Sequence, residues 1–283
     1  MATKMAEKRK NLLPHLTLCA DDFGLNSAVN AGIIHLVKAG HLNAVSCMSG
    51  GAAFESGIPA LLKACEEASI EVEIGLHLTL TEYTPLTTMK KLAPRGKLPA
   101  LALLLIKSHL GWLDRGEVRD EIAQQWERFE AIAGRTPDFM DGHQHSHLLP
   151  EIRDEVIELA KAKFQKKCWV RGCYAPLSPL RKSGRASWRL RIINHLANEM
   201  IPLLKEAKIK TNPFFYGVNS FKKDEKFEDH MDNWVNLAKA NKEWAVIMCH
   251  PGLKSEDDTI LDPISARRVD ELEALLRKNY INN

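Results

Sequence analysis

The sequence lacks a hydrophobic run long enough to cross a bilayer: its longest apolar block is Leu101 to Ile106, whereas a spanning helix needs about 20 such residues. The segment Met1 to Lys10 is charged and has none of the apolar centre of a secretory signal, so no targeting peptide is expected. Neither sign of charge predominates. With 39 Lys and Arg against 36 Asp and Glu the net charge is +3, too balanced for a nucleic-acid or membrane-surface footprint. No Cys-x-x-Cys pair occurs. The cysteines at 19, 47, 65, 168, 173 and 249 are scattered, and Cys19 and Cys249 lie inside apolar runs. That argues for buried, reduced thiols in a cytoplasmic protein rather than a disulfide framework. Internal repeats, low-complexity segments and linker-like boundaries are also missing. The whole chain, 1–283, is therefore expected to fold as a single domain with a sizeable core.

What is present is an alternation. Leu16 to Ala20 reads as a buried strand that stops at Asp21-Asp22, and Ser27 to Lys38 follows with Val29, Ile33, Leu36 and Val37 at helical spacing. A strand at Ala44 to Met48, a helix at Pro59 to Ala68 and a strand at Val72 to Leu78 continue the pattern. Further helices are predicted at Glu117 to Gly134, Pro150 to Lys163, Ile192 to Ala207 (with Pro202 as a stop or kink), Met231 to Ala240 and Ala266 to Lys278. Further strands fall at Cys168 to Arg171, Thr211 to Gly217 and Trp244 to Cys249. Short connections between alternating elements predict parallel βα units, an α/β fold. Residues Thr79 to Asp114 break the rhythm and read as a long insertion or lid, and Ser178 to Arg191 reads as a basic, solvated loop and helix start.

Four apolar runs end in the same kind of residue: Asp21-Asp22, His77, Asp141 with His143, His145 and His147, and His250. Each lies at a predicted strand's C-terminal edge, where barrels and open α/β sheets place ligands and chemistry. In Asp141-x-His143-x-His145-x-His147 the spacing of two would turn all four side chains to one side if the run stays extended. Crowded imidazoles are relieved by a metal or a carboxylate. A mixed Asp/His set suits zinc and also accepts other divalent ions.

Taken together, Ala20-Asp21-Asp22-Phe23-Gly24-Leu25, Gly75-Leu76-His77-Leu78, Asp141 through Pro150 and Cys249-His250-Pro251-Gly252 resemble the YdjC-like, ChbG-type carbohydrate deacetylases. The resemblance implies a distorted, TIM-like (β/α) barrel and hydrolytic removal of acetyl from an N-acetylated sugar. It implies one divalent metal per chain, zinc or magnesium, held by Asp22, His77 and a histidine of the 143–147 run, taken as His143. Asp21 would be the general base and His250 a general acid or oxyanion partner.

Arg171, at a strand end, could steady Asp21 or bind a sugar hydroxyl, and His145 and His147 could orient the ligands. Trp112, Phe215 and Tyr216 are possible platforms for a sugar ring. The expected partner is an acetylated sugar or glycolipid-type small molecule, with no nucleic acid and no membrane span; a homodimer is compatible with the sequence. Two rival readings are a metal-dependent phosphoester hydrolase, which often carries two metals, and a non-catalytic sugar-binding protein on the same barrel.

Overall fold

The computed structural model describes residues 15–165, 167–182, 188–219, 225–255 and 262–282, with backbone only at 179, 181 and 182. The segment Met1 to Lys10 and Arg185 of the basic stretch lie outside them. In chain order, β1 (Leu16–Phe23), α1 (Ser27–Lys38), β2 (Ala44–Cys47), α2 (Phe54–Glu67) and β3 (Glu73–Leu78) come first. After the long loop follow α3 (Leu101–His109), α4 (Arg115–Ala133), β4 (Phe139–Gly142) and a 3₁₀ turn, His143–Leu148. Then come α5 (Ile152–Lys163), β5 (Trp169–Val170), α6 (Leu177–Lys182) and α7 (Trp188–Glu206). The chain closes with β6 (Lys210–Thr211), β7 (Phe214–Tyr216), α8 (Phe227–Asn241), β8 (Ala245–Cys249) and α9 (Ser265–Arg277).

The strands are all parallel and form one sheet in the order β6-β5-β4-β3-β2-β1-β8-β7. Its two edges are consecutive stretches of chain, β6 and β7, parted only by Asn212 and Pro213. This segment pairs on one side with β5 through Lys210 and Thr211, and on the other with β8 through Phe214 to Tyr216. The sheet therefore curls back on itself, giving the TIM-like barrel expected. At the break a proline cannot donate, and the Asn212 amide substitutes for the ladder. It accepts from the Gly172 N–H at 2.8 Å and donates to the carbonyls of Gly172 and Phe214, each at 2.7 Å. β1, β2 and β8 are buried throughout, as strands covered on both faces should be.

Several boundaries differ from the periodicity, α7 and α8 each beginning four residues early. β1 runs through Asp21-Asp22 to Phe23 instead of stopping before them. α2 begins at Phe54, ahead of Pro59, and α7 passes Pro202 without stopping. Both prolines lie on exposed helix faces, so the carbonyl each frees one turn back (Glu55, Asn198) meets water. Among the described residues no helix is long and apolar enough to cross a membrane.

The 79–114 segment is fastened along α4. Gln125 pairs with both backbone groups of Thr79, Glu121 accepts from the Leu86 and Thr87 N–H groups, and Glu117 accepts from those of Lys91 and Leu92. These three residues recur every fourth position, one stripe of the helix. Glu121 and Gln125 are buried because they satisfy loop backbone, which a polar spot on an amphipathic helix does not announce.

Candidate active site

β1 supplies both aspartates. Its register against β2 shifts between Ala20 and Phe23, and Asp22 has φ 69. A bulge of this kind cancels the alternation of a strand, so the neighbouring carboxylates both turn inward, each 1% exposed. They then take different partners.

Asp22 faces two imidazoles and one guanidinium. Its Oδ1 lies 3.2 Å from His77 Nε2 and 3.1 Å from His143 Nδ1, while Oδ2 accepts from Arg268 Nη2 at 2.8 Å. Burial alone would raise the Asp22 carboxyl, but Arg268 and then His143 outweigh it and hold it well below the usual carboxylate range. Asp22, His77 and His143 each offer one atom, and the three atoms lie within 4.8 Å of one another. One carboxylate oxygen and two imidazole nitrogens form a donor set that zinc or a similar divalent ion accepts. Among the described residues His143 Nε2 has no hydrogen-bond partner, with the Glu82 carboxylate 3.9 Å away, so its ring is held mainly through Nδ1.

Asp21 faces Arg171. The guanidinium donates from Nη1 to Oδ2 and from Nη2 to Oδ1, both at 2.7 Å, a two-pronged grip on a fully buried carboxylate. Arg171 follows β5, its N–H donating to the Met140 carbonyl at 3.0 Å, so the barrel wall itself aims the side chain. It also lies 3.1 Å from Cys19 Sγ and 2.5 Å from Asp141 Oδ2. Cys19, Asp21 and Asp141 would by spacing suit a second cation, but the Arg171 guanidinium already contacts all three.

Asp141 touches both halves. Its Oδ1 accepts from His77 Nδ1 at 2.6 Å and from the Ser46 hydroxyl at 2.5 Å. Burial opposes a charge on His77, but Asp141 and Asp21 outweigh it and push the imidazole up to about 10 in the metal-free protein.

The run 143–147 does not stay extended. β4 ends at Gly142, and the 3₁₀ turn carries Gln144 and His145 at φ 53 and 59. The three histidines consequently diverge. His143 goes to Asp22, whereas the His145 ring stands edge-on to Phe215 with centroids 5.4 Å apart and Nδ1 3.7 Å from Cys173 Sγ. His147 is fully buried and donates from Nε2 to the Arg171 carbonyl at 3.0 Å. Burial lowers His147 to about 4, and burial with the charges of His147 and Arg171 keeps His145 well below the usual imidazole range.

His250 closes β8, and its backbone N–H donates to Glu271 Oε2 on α9 at 2.6 Å. Burial brings its imidazole down to about 4 against the opposing pull of Asp22 and Asp21, so it starts neutral. Tyr216 does not reach the chamber. Alternation along β7 sends Phe215 inward, under Arg171 at 5.8 Å, and Tyr216 outward, where its hydroxyl accepts from Asn241 on α8. Trp112 is 64% exposed in the link after α3.

Contributors not singled out from the sequence include Ser46, Glu82, Tyr83, Arg268, Asp262 and Glu271. Ser46 is the one hydroxyl in the apolar strand β2, a visible signal. Glu82 (φ 66) and Tyr83, whose ring is 5.6 Å from that of His143, come from the loop. Arg268 and Asp262 pair with each other at 2.8 Å, and nothing in their local sequence indicates that they turn inward.

The class defined by these observations is an all-parallel (β/α) barrel with a buried Asp/His/Arg cluster on its strand ends. The family profile described as YdjC-like protein matches residues 15–281, and the chain belongs to that family. Chitooligosaccharide deacetylases of Yersinia pestis (strain Pestoides F) and Yersinia pseudotuberculosis (serotype O:1b, strain IP 31758) are each 35% identical over 155 residues, 52% of this chain and 56% of theirs. The match thus spans little more than half the length of these relatives. A solved protein of Enterococcus faecalis V583, provisionally assigned to cellobiose-phosphate cleavage, superposes with TM-score 0.67 at 20% identity, covering 92% of this chain and 89% of that one.

Proposed function

We propose that this protein is a metal-dependent carbohydrate N-deacetylase, hydrolysing the acetamido bond of an N-acetylated sugar of the chito-oligosaccharide type. One observation carries the reading: a three-donor set, Asp22, His77 and His143, stands beside a second carboxylate, Asp21, gripped by Arg171. The names of the Yersinia relatives support the substrate class.

Asp22 Oδ1, His77 Nε2 and His143 Nδ1 would hold one divalent ion, zinc or magnesium. Such an ion, when bound, polarises an acyl oxygen and makes a water nucleophilic near neutral pH. Asp21 accepts the proton of the attacking water, its lone pairs aimed by the Arg171 fork. His250, neutral in the resting protein, offers a ring N–H to the oxygen on which negative charge gathers. The proton taken by Asp21 is available to the departing sugar nitrogen. His147 and His145 act from behind, His147 by holding the Arg171 carbonyl. The loop bearing Glu82 and Tyr83 forms one wall beside His143, consistent with a lid. Because Arg171 fills the second donor group, the site supports one cation rather than the two common in phosphoester hydrolases. Six cysteines outside any disulfide, five of them buried, support a reducing, cytoplasmic setting.

The test is acetate release from a panel of acetylated chito-oligosaccharides and N-acetylated glycolipids, with single metals restored to chelated protein. The expected result is turnover on the oligosaccharides with one metal per chain, nearly abolished in Asp21→Asn at unchanged metal content. Metal bound without acetate released from any substrate would leave the sugar-binding reading in its place. Two metals with phosphoester turnover would favour the other.

A further inference from the structure

Asp141 lies between the two halves of the chamber, in contact with His77 Nδ1 on one side and Arg171 Nη2 on the other. Its carboxylate is 0% exposed. On one side Oδ1 accepts from His77 Nδ1 at 2.6 Å, and the opposite nitrogen of that ring, Nε2, is the proposed donor to the metal. On the other side Oδ2 is 2.5 Å from Arg171 Nη2, the nitrogen that also grips Asp21 Oδ1. The contact with Arg171 is an ion pair lying off the N–H axis, so Asp141 acts there as a counter-charge more than as an aligned acceptor. Ser46, from the neighbouring strand, donates to Oδ1 and lies 3.0 Å from His77 Nδ1. Three strands therefore meet at this carboxylate: β2 through Ser46, β3 through His77 and β4 through Asp141 itself. The register places His77 directly beside Asp141 on paired strands, so the contact is built into the sheet.

We propose that Asp141 is the positioning residue joining the metal-holding and base-holding halves of the site, orienting the His77 ring through Nδ1 while anchoring the Arg171 fork that aims Asp21. This rests on the metal-dependent reading above. Its physical basis is twofold. A carboxylate on the far nitrogen of an imidazole fixes the tautomer that leaves Nε2 free to donate, turns the ring toward the ion and makes it a stronger base. The same carboxylate neutralises one charge of a buried guanidinium that would otherwise repel a cation a few ångströms away. Removal of Asp141 thus weakens the site from both directions, and a disturbance of Arg171 is felt by a metal it does not touch.

The experiment measures metal affinity of chelated protein by titration calorimetry with zinc alone, so that it does not depend on turnover. Wild type is read first. If it takes up no zinc, the metal-dependent reading itself has failed, and the role of Asp141 with it. With wild type binding one ion, Asp141→Asn is expected to keep the stoichiometry and lose affinity by about 10–100-fold. It should also lack the far-downfield Nδ1–H proton resonance that the 2.6 Å contact predicts for His77 in wild type. Arg171→Lys, which keeps the charge and loses the fork, is expected to weaken zinc binding several-fold although Arg171 touches no donor atom. A folded Asp141→Asn protein with wild-type affinity overturns the proposal and leaves the metal site standing. Should that variant fail to fold, Ser46→Ala and Arg171→Lys decide: wild-type affinity in both overturns it, and a loss in both sustains it.

Discussion

Arg268, in the first turn of α9, reaches Asp22 on β1 across 246 positions of sequence, Nη2 to Oδ2 at 2.8 Å. The Nε of the same guanidinium holds Asp262 at 3.0 and 2.8 Å. The last helix is thereby fastened to the first strand at a proposed metal ligand. Arg268→Leu strips both buried carboxylates of their guanidinium, and a loss of about 3–5 kcal/mol in urea unfolding is expected. A loss below about 1 kcal/mol, the scale of a hydrated surface pair, would show that water already reaches the cluster.

Zinc or magnesium must compete with a proton at His77. Asp141 and Asp21 raise this imidazole to about 10 against the effect of burial, so the metal-free ring is protonated at neutral pH. Raising the pH removes the competitor, and affinity should climb at least about tenfold per unit between roughly pH 6.5 and 9, since His143, also raised by Asp22, sheds a proton as well. Calorimetry in buffers of different ionisation enthalpy counts the protons released; a count of zero contradicts the ligand assignment. In the metal-free protein the same group stabilises the fold fully below an unfolded value of about 6.5, and this contribution fades as pH rises toward 10.

The sign is opposite for His147. Burial lowers it to about 4, whereas the unfolded chain ionises near about 6.5. Between those values the unfolded state holds the extra proton, so stability falls as the pH drops, by up to about 1.4 kcal/mol per unit. His250, also near 4, behaves alike. His145, held well below the usual imidazole range, adds a third such group, so in His147→Gln the acid limb of stability, measured by urea unfolding at stepped pH, should be about one third less steep. An unchanged slope would mean that His147 is ionised in the fold.

Gly32 on α1 is in close contact with the His250-Pro251-Gly252 turn. A Cβ at Gly32 would sit 2.7 Å from the Gly252 Cα, and the turn is held by hydrogen bonds from Gly252 N–H to the Arg268 carbonyl at 3.1 Å and from Leu253 N–H to that of Ala28 at 3.0 Å. Gly32→Ala must push the turn outward and His250 with it. Expected are a loss of about 1–3 kcal/mol and a fall in turnover at unchanged zinc content. Wild-type turnover in this variant would show that the position of His250 is not critical.

The alternation of apolar runs and amphipathic segments made the parallel βα order readable, because a strand covered on both faces must be apolar throughout. The strand-end residues Asp21, Asp22, His77 and His250 were readable for a related reason: charge after such a run has few harmless places to go. The fate of the 143–147 run was not readable. Spacing of two suggests one face only while the backbone stays extended, and positive φ at Gln144 and His145 ends that condition. Tyr216 shows the converse, since alternation alone would have sent it and Phe215 to opposite faces.

By itself the sequence determined that Asp21, Asp22, His77, Asp141 and His250 would stand at strand ends, since local pattern sets secondary structure and secondary structure sets the edge. Only the tertiary structure decided the pairings: Asp21 with Arg171, Asp22 with Arg268, His77 with Asp141, and His143 alone of its run turned to Asp22. Those choices depend on sheet register, on one bulge in β1 and on one 3₁₀ turn after β4, and each is set by packing between segments far apart in the chain.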